Sequence, residues 1–158
     1  MMIRFDPALK LLFAAALILL APAPSWANGK LAGDWKLDVS RSEGGRMNFS
    51  GIDLSVTVDG DKFMVKQLVH RDSGDETFEY AYVTDGEPHT VAGPGENSRE
   101  VTARWRKGRL EATYLAPNAE NVTVKETWKI KRGVLELRYV APNPIGGTFL
   151  IKRTYVRE

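Results

Sequence analysis

From Gly33 to the end of the chain, apolar and polar residues alternate with a period of two, and glycine interrupts the alternation again and again. Successive side chains of a strand point to opposite faces, so this period is that of half-buried β-structure. No stretch carries the spacing of an amphipathic helix, and the pattern restricts the chain to an all-β fold. Ten strands are predicted, over residues 34–39, 52–58, 62–71, 76–84, 89–92, 99–106, 109–115, 122–131, 134–140 and 148–156. The segments between them fall into two kinds. Asp59-Gly60-Asp61, Asp85-Gly86-Glu87, Lys107-Gly108 and Arg132-Gly133 are tight turns in which glycine supplies the positive φ of a hairpin. The alternate connections, 40–51, 72–75, 93–98, 116–121 and 141–147, are mostly longer and contain Gly, Pro, Asn and Ser. In an up-and-down antiparallel meander, alternate connections lie at opposite ends. The tight turns then gather at a base and the longer loops ring a mouth, giving a barrel shaped like a cup.

One repetition fits this reading. Residues 114–118 read YLAPN and residues 139–143 read YVAPN, each after a strand that runs toward the mouth. Pro117 and Pro142 lack the N–H a ladder needs and stop their strands at the same rim. The echo is one hairpin design used twice.

The N-terminus is of a different kind. Arg4 and Lys10 precede an apolar run from Leu11 to Ala21, and Ser25 and Ala27 fit a cleavage site. Residues 1–27 are expected to be a signal peptide, since the apolar run is shorter than the ~20 residues that span a bilayer. Residues 28–158 then form one domain, and no segment after cleavage is long and apolar enough to cross a membrane. Without Arg4, Asp6 and Lys10, the 22 basic and 20 acidic residues become nearly balanced and are interleaved along the strands. Nothing in this spacing marks a nucleic-acid footprint or an anionic membrane patch. The chain has no cysteine, which excludes disulfides, thiol catalysis and thiolate metal sites. Such an exported chain is expected in a bacterial periplasm or secreted from a bacterium.

Strand parity sorts the side chains. With the apolar set inward, the interior receives Trp35, Leu37 and Val39, the tyrosines Tyr80, Tyr82, Tyr114 and Tyr139, and on the last strand Phe149, Ile151 and Tyr155. The same parity places four polar residues inside: Gln67, Arg99, Glu126 and Arg153. An unpaired carboxylate at Glu126 would cost several kcal/mol, so it requires a partner, Arg153 or a tyrosine hydroxyl, or a water-filled cavity. In one reading Glu126 with Arg153 or Arg99 orients the polar group of a ligand held among the four tyrosines. In the other these residues form an internal ion pair that fills a small barrel. His70 and His89 are read as solvated rim histidines, with no dense metal-ligand spacing around them. Ser73 beside His70 lacks a nucleophile elbow. Gly93-Pro94-Gly95 and Pro144-Ile145-Gly146-Gly147 open no helix and are rim turns rather than phosphate cradles. No catalytic residue, metal or cofactor is assigned.

The opening strand, Gly33-Asp34-Trp35-Lys36-Leu37, resembles the Gly-X-Trp signature of the lipocalins and their calycin relatives. GDWKLDVSRS is also similar to the start of small exported bacterial lipocalin-like domains of generally unassigned activity. The resemblance implies an eight- to ten-stranded barrel with Trp35 at its closed end and a basic residue of the last strand, Arg153 or Arg157, packed across it. Gly33, Trp35 and Arg153 are taken as this structural signature, and residues 40–51 as the large first loop that shades the mouth. The expected function, read from the interior residues, is that of an exported, non-enzymatic barrel binding a small, partly apolar ligand at its longer-loop end. The expected contacts are Gln67, Tyr80, Tyr82, Arg99, Tyr114, Glu126, Tyr139 and Arg153. A filled barrel serving as an envelope interaction or inhibitor module is the alternative. An enzyme of hydrolase type, with Glu126 or a histidine as general acid or base, ranks last.

Overall fold

The structure is a computed structural model that describes residues 28–45, 47–93, 98–116, 119–143 and 145–158. The expected signal peptide, Pro94, Gly95, Pro117, Asn118 and Pro144 lie outside the described residues. Ten strands follow one another: β1 (Gly33–Glu43), β2 (Gly51–Asp59), β3 (Lys62–His70), β4 (Glu76–Val83), β5 (Asp85–Ala92), β6 (Ser98–Arg106), β7 (Arg109–Ala116), β8 (Ala119–Lys131), β9 (Val134–Pro142) and β10 (Thr148–Arg157). All ladders are antiparallel. They form one sheet in the order β4-β3-β2-β1-β10-β9-β8-β7-β6-β5, a meander rolled into a nearly closed barrel.

The two edges of that sheet, β4 and β5, are consecutive in the chain, so the expected hairpin at Asp85-Gly86-Glu87 is absent. Those residues belong to β5 itself, which shifts register against β6 between Asp85 and Pro88. Pro88 has no N–H to donate and suits an edge strand. At the end of β4, Thr84 donates to the Asp61 carbonyl from its backbone N at 2.7 Å and from Oγ1 at 2.8 Å. The chain is thereby tied to the β2–β3 turn, and it steps across the seam instead of folding back. The turns at 107–108 and 132–133 are hairpins as expected. Their first residues also take positive φ, 50° at Lys107 and 52° at Arg132, as a two-residue turn matched to strand twist requires.

Aromatic rings fill much of the base. A short 3₁₀ turn, Asn28–Leu31, plugs it with Leu31, whose carbonyl accepts a 3.0 Å bond from Trp35 Nε1. Phe63 meets Trp128 edge-on at 5.2 Å and Trp105 at 5.9 Å between ring centroids. The guanidinium of Arg157 lies 4.4 Å from the Trp35 ring centroid, so Arg157, and not Arg153, covers the tryptophan. Gly33 has φ of 130°, and a Cβ there would come within 2.7 Å of Arg157 Nη1. The glycine of the signature therefore makes room for the cation that stacks on its tryptophan.

Parity fails at two places near the mouth. Val39, expected inside, is exposed. Asp38 draws in the residues that follow it, accepting from Ser40 Oγ and Arg41 N through its carboxylate and from Ser42 Oγ through its carbonyl. The register of β1 against β10 shifts between Asp38 and Glu43 as a result, which turns Val39 outward. Phe149 keeps its inward parity but stands exposed at the lip.

Candidate functional site

Glu126 sits midway along β8, directly above Trp128 on the same inward face, and is 1% exposed. Four donor contacts converge on its carboxylate. Tyr82 Oη of β4 lies 3.2 Å from both oxygens, Tyr114 Oη of β7 donates to Oε2 at 3.1 Å, and Trp128 Nε1 donates to Oε1. Burial still raises the carboxyl above its ordinary pKa, outweighing those donors and the nearby charge of Arg99. Of the partners anticipated for Glu126, the structure selects the tyrosine hydroxyls. Trp128 is the partner that the sequence reading overlooked, although residues two apart on one strand share a face.

Arg99, at the mouth end of β6, packs flat over Tyr114, with 3.8 Å from its guanidinium carbon to the ring centroid. Burial works against its charge, yet Tyr114, Tyr82 and Glu126 hold its pKa above the ordinary arginine value. Among the described residues, its buried Nε has no hydrogen-bond partner. A desolvated guanidinium with an unused donor is a ready partner for a carboxylate or another anionic oxygen.

Above this level the interior changes. Gln67, Phe78, Tyr80, Val124, Tyr139 and Ile151 all face inward by parity, yet each is only half-buried. Desolvation nonetheless raises the hydroxyls of Tyr80 and Tyr139 well above the ordinary phenol pKa. These inward side chains are less completely buried than Trp35, Phe63 and Trp128, so the interior is more open around them. The structure thus brings Tyr80, Tyr82, Arg99, Tyr114, Glu126 and Tyr139 to one connected region, with Gln67 facing the same space between Leu54 and Phe78.

Arg153 is not part of that cluster. Its Nη1 donates to the carbonyls of Glu43 at 3.1 Å and Gly44 at 3.0 Å, and so pins the first loop across the mouth. Gly44 allows this close approach, since a Cβ there would fall 2.1 Å from the Leu150 carbonyl oxygen and its φ is +75°. Phe49 of the same loop packs against the core. A rim cleft of about 420 Å³ lies between residues 47–50 and 71–73.

The histidines have their own partners. His70, on the outer face at the rim, meets Asp53 through Nε2 at 2.9 Å and Asp75 through Nδ1 at 3.1 Å, so it bridges two carboxylates rather than simply facing water. Both ring nitrogens are occupied, which leaves none to take a proton from Ser73. His89 is bound to Asp85 across the β5 bulge. Among the described residues no group of three or more His, Asp and Glu is placed to hold a metal, and no helix is long and apolar enough to cross a membrane.

No protein-family model matches the chain, and no curated protein matches it by sequence. Solved structures do match by fold. The REP1-NXSQ fatty acid transporter superposes with a TM-score of 0.63 at 15% identity, covering 82% of this chain and 97% of its own. Apo lipid binding protein 8 of Caenorhabditis elegans gives 0.60 at 18% identity, with 82% and 96% covered. The zebrafish ileal bile acid-binding protein in complex with cholic acid gives 0.55 at 14%, with 82% and 99% covered. The chain shares the antiparallel β-barrel fold of these structures.

Proposed function

We propose that this chain is an exported, non-enzymatic barrel that holds a small amphipathic ligand in the mouth half of its interior. The apolar body lies among Phe78, Tyr80, Val124, Tyr139 and Ile151, and an anionic end reaches Arg99. The observation that carries this reading is the buried, unused Nε of Arg99 at the mouth end of β6, beside inward side chains that are only half-buried. The fold neighbours support the ligand class, since those named above are a fatty acid transporter, a lipid binding protein and a bile acid complex. A barrel filled to the rim, as an interaction module would have, would bury Tyr80 and Tyr139 as completely as Trp35 and Trp128.

Glu126 has a raised pKa, but its carboxylate is enclosed by Tyr82, Tyr114 and Trp128 and so is shielded from any substrate. That enclosure favours a structural carboxyl over a general acid. The test is binding of palmitate against hexadecanol by the wild type and Arg99→Gln. A hydrogen bond to a charged group contributes about 1.5–3 kcal/mol, so Arg99→Gln should weaken palmitate by roughly 10- to 100-fold and leave hexadecanol nearly unchanged. Equal losses for both, or no binding of either by the wild type, would refute the reading.

A further inference from the structure

Among the described residues, every large exposed hydrophobic side chain lies at the mouth end: Val39, Met47, Leu115, Ile145, Phe149 and Leu150. Four of the six cluster on β7, β10 and the β9–β10 loop, with Ile145 94% exposed, Leu115 55% and Phe149 48%. Single exposed hydrophobics need no explanation, but their confinement to one end does.

The outer face of β7–β10 shows what lies beneath them. Ladder pairing sets Leu115, Thr123, Pro142 and Thr148 in the row nearest the mouth. The next row is Thr113, Lys125, Val140 and Leu150, and the one below it is Glu111, Thr127, Arg138 and Lys152. Lys129 and Glu136 follow, then Lys131. Six cations thus stand below an apolar lip, Arg109 among them and paired with Glu111, against Glu111 and Glu136 on this face and Glu43 reaching in from β1. Lys129 pairs with Glu136 at 2.9 Å and Lys152 with Glu43, while Lys125, Lys131 and Arg138 form no ion pair among the described residues. Rows two residues apart lie about 7 Å from each other, so the first cations sit one row below the lip. The opposite side of the mouth carries Asp53, Asp72, Asp75 and Glu76 together with Arg71 and His70, and further down β4 Glu79 pairs with Lys66.

We propose that the mouth edge of β7–β10, with the β9–β10 loop, docks on an anionic lipid surface. An apolar tip that enters the acyl boundary by about 5–10 Å, backed by a basic belt at headgroup depth, is the geometry of an interfacial contact. Lys125 and Arg138 are placed for such a belt, because their aliphatic stems can follow the apolar lip while their charges stay at the phosphates. This inference does not depend on the identity or presence of an internal ligand. It adds a surface that the ligand reading does not require.

The experiment is co-sedimentation of the protein with vesicles of phosphatidylcholine alone and of phosphatidylcholine with 30 mol% phosphatidylglycerol (about one lipid in three anionic, enough to engage several basic residues). Binding is expected to the anionic vesicles only, and to fall steeply with added salt. Lys125→Glu changes the charge by two, and at roughly fivefold in affinity per charge it should weaken binding about 30-fold. Ile145→Asp should abolish it, and neither exposed substitution should disturb the fold. Ile145→Trp provides an independent readout, with an emission blue shift on anionic vesicles. Equal partition onto neutral vesicles, no binding at all, or Ile145→Asp binding like the wild type would overturn the proposal. The last result would point to an acidic protein at the basic face instead of a bilayer.

Discussion

The two halves of the barrel interior are lined by the same strands at the same parity, yet they are packed differently. At the base, Trp35, Phe63, Leu110, Trp128 and Leu135 are fully buried, and the 3₁₀ turn closes the floor. At the mouth, Phe78, Tyr80, Tyr139 and Ile151 keep accessible surface. The difference follows from side-chain volume at each level. Trp35, Trp128 and Phe63 fill the base with Trp105 half-buried beside them, while phenylalanine, tyrosine, valine, glutamine and isoleucine of the upper wall are less completely buried. Glu126 lies between them, with its bonds to Tyr82, Tyr114 and Trp128 forming a buried polar layer.

The largest test of this contrast compares one aromatic from each half. Trp35→Ala should cost roughly 3–5 kcal/mol in denaturant unfolding, because it removes a buried indole and leaves Arg157 and the Leu31 carbonyl without their partner. Tyr139→Ala should cost less than about 2 kcal/mol, since its side chain is already half-exposed and its removal seals no void. Equal losses would mean that the upper interior is packed like the base.

Glu126 provides the next test. Glu126→Ala leaves two hydroxyls and an indole N–H without an acceptor, and should cost roughly 1–3 kcal/mol. Glu126→Gln keeps the shape and removes the charge. Because the folded carboxyl is raised above its unfolded value, the stability linked to it is full below the ordinary carboxylate pKa. It is lost as pH rises through the folded value. The stability difference between wild type and Glu126→Gln should therefore shift against the wild type from acid toward neutral pH. A pH-independent difference in chemical denaturation would show that the three donors and Arg99 hold the carboxylate at its ordinary value.

Much of this was legible before any coordinates. Period-two alternation located all ten strands, and alternating loop lengths separated base from mouth. Glu126 stood out as a charge in an apolar row. What escaped depended on distances between strands. Gly86 has the local chemistry of a hairpin glycine, and only the bond from Thr84 to the distant Asp61 turns that site into a seam. Arg153 and Arg157 share a parity, so parity alone could not choose between them. Their four-residue separation along a strand is about 13 Å, and Trp35 pairs with Arg157, which leaves Arg153 level with the mouth loop.

The smallest expected effect concerns the outer rim, where His70 ties the β3–β4 loop to β2. A neutral imidazole has one N–H, so a ring facing Asp53 through one nitrogen and Asp75 through the other is satisfied only when doubly protonated. The hydrogen bonds to Asp53 and Asp75 raise its pKa above the ordinary value, against the opposing effect of desolvation. The sign is opposite to that of a paired carboxylate: this contact is fully present below the unfolded histidine pKa and is lost as pH rises through the folded one. Arg71 is engaged by Glu76 and does not neutralise either aspartate. NMR titration of the His70 ring should give a midpoint above the ordinary histidine value that drops in Asp75→Asn. Amide exchange of residues 72–75 should quicken above that midpoint beyond the intrinsic pH trend, while the base amides keep to that trend. An unshifted midpoint would show that the aspartates lie beside the ring without holding its proton. In that case the mouth would carry no pH-dependent contact at His70, and the two ends of the barrel would differ in packing alone.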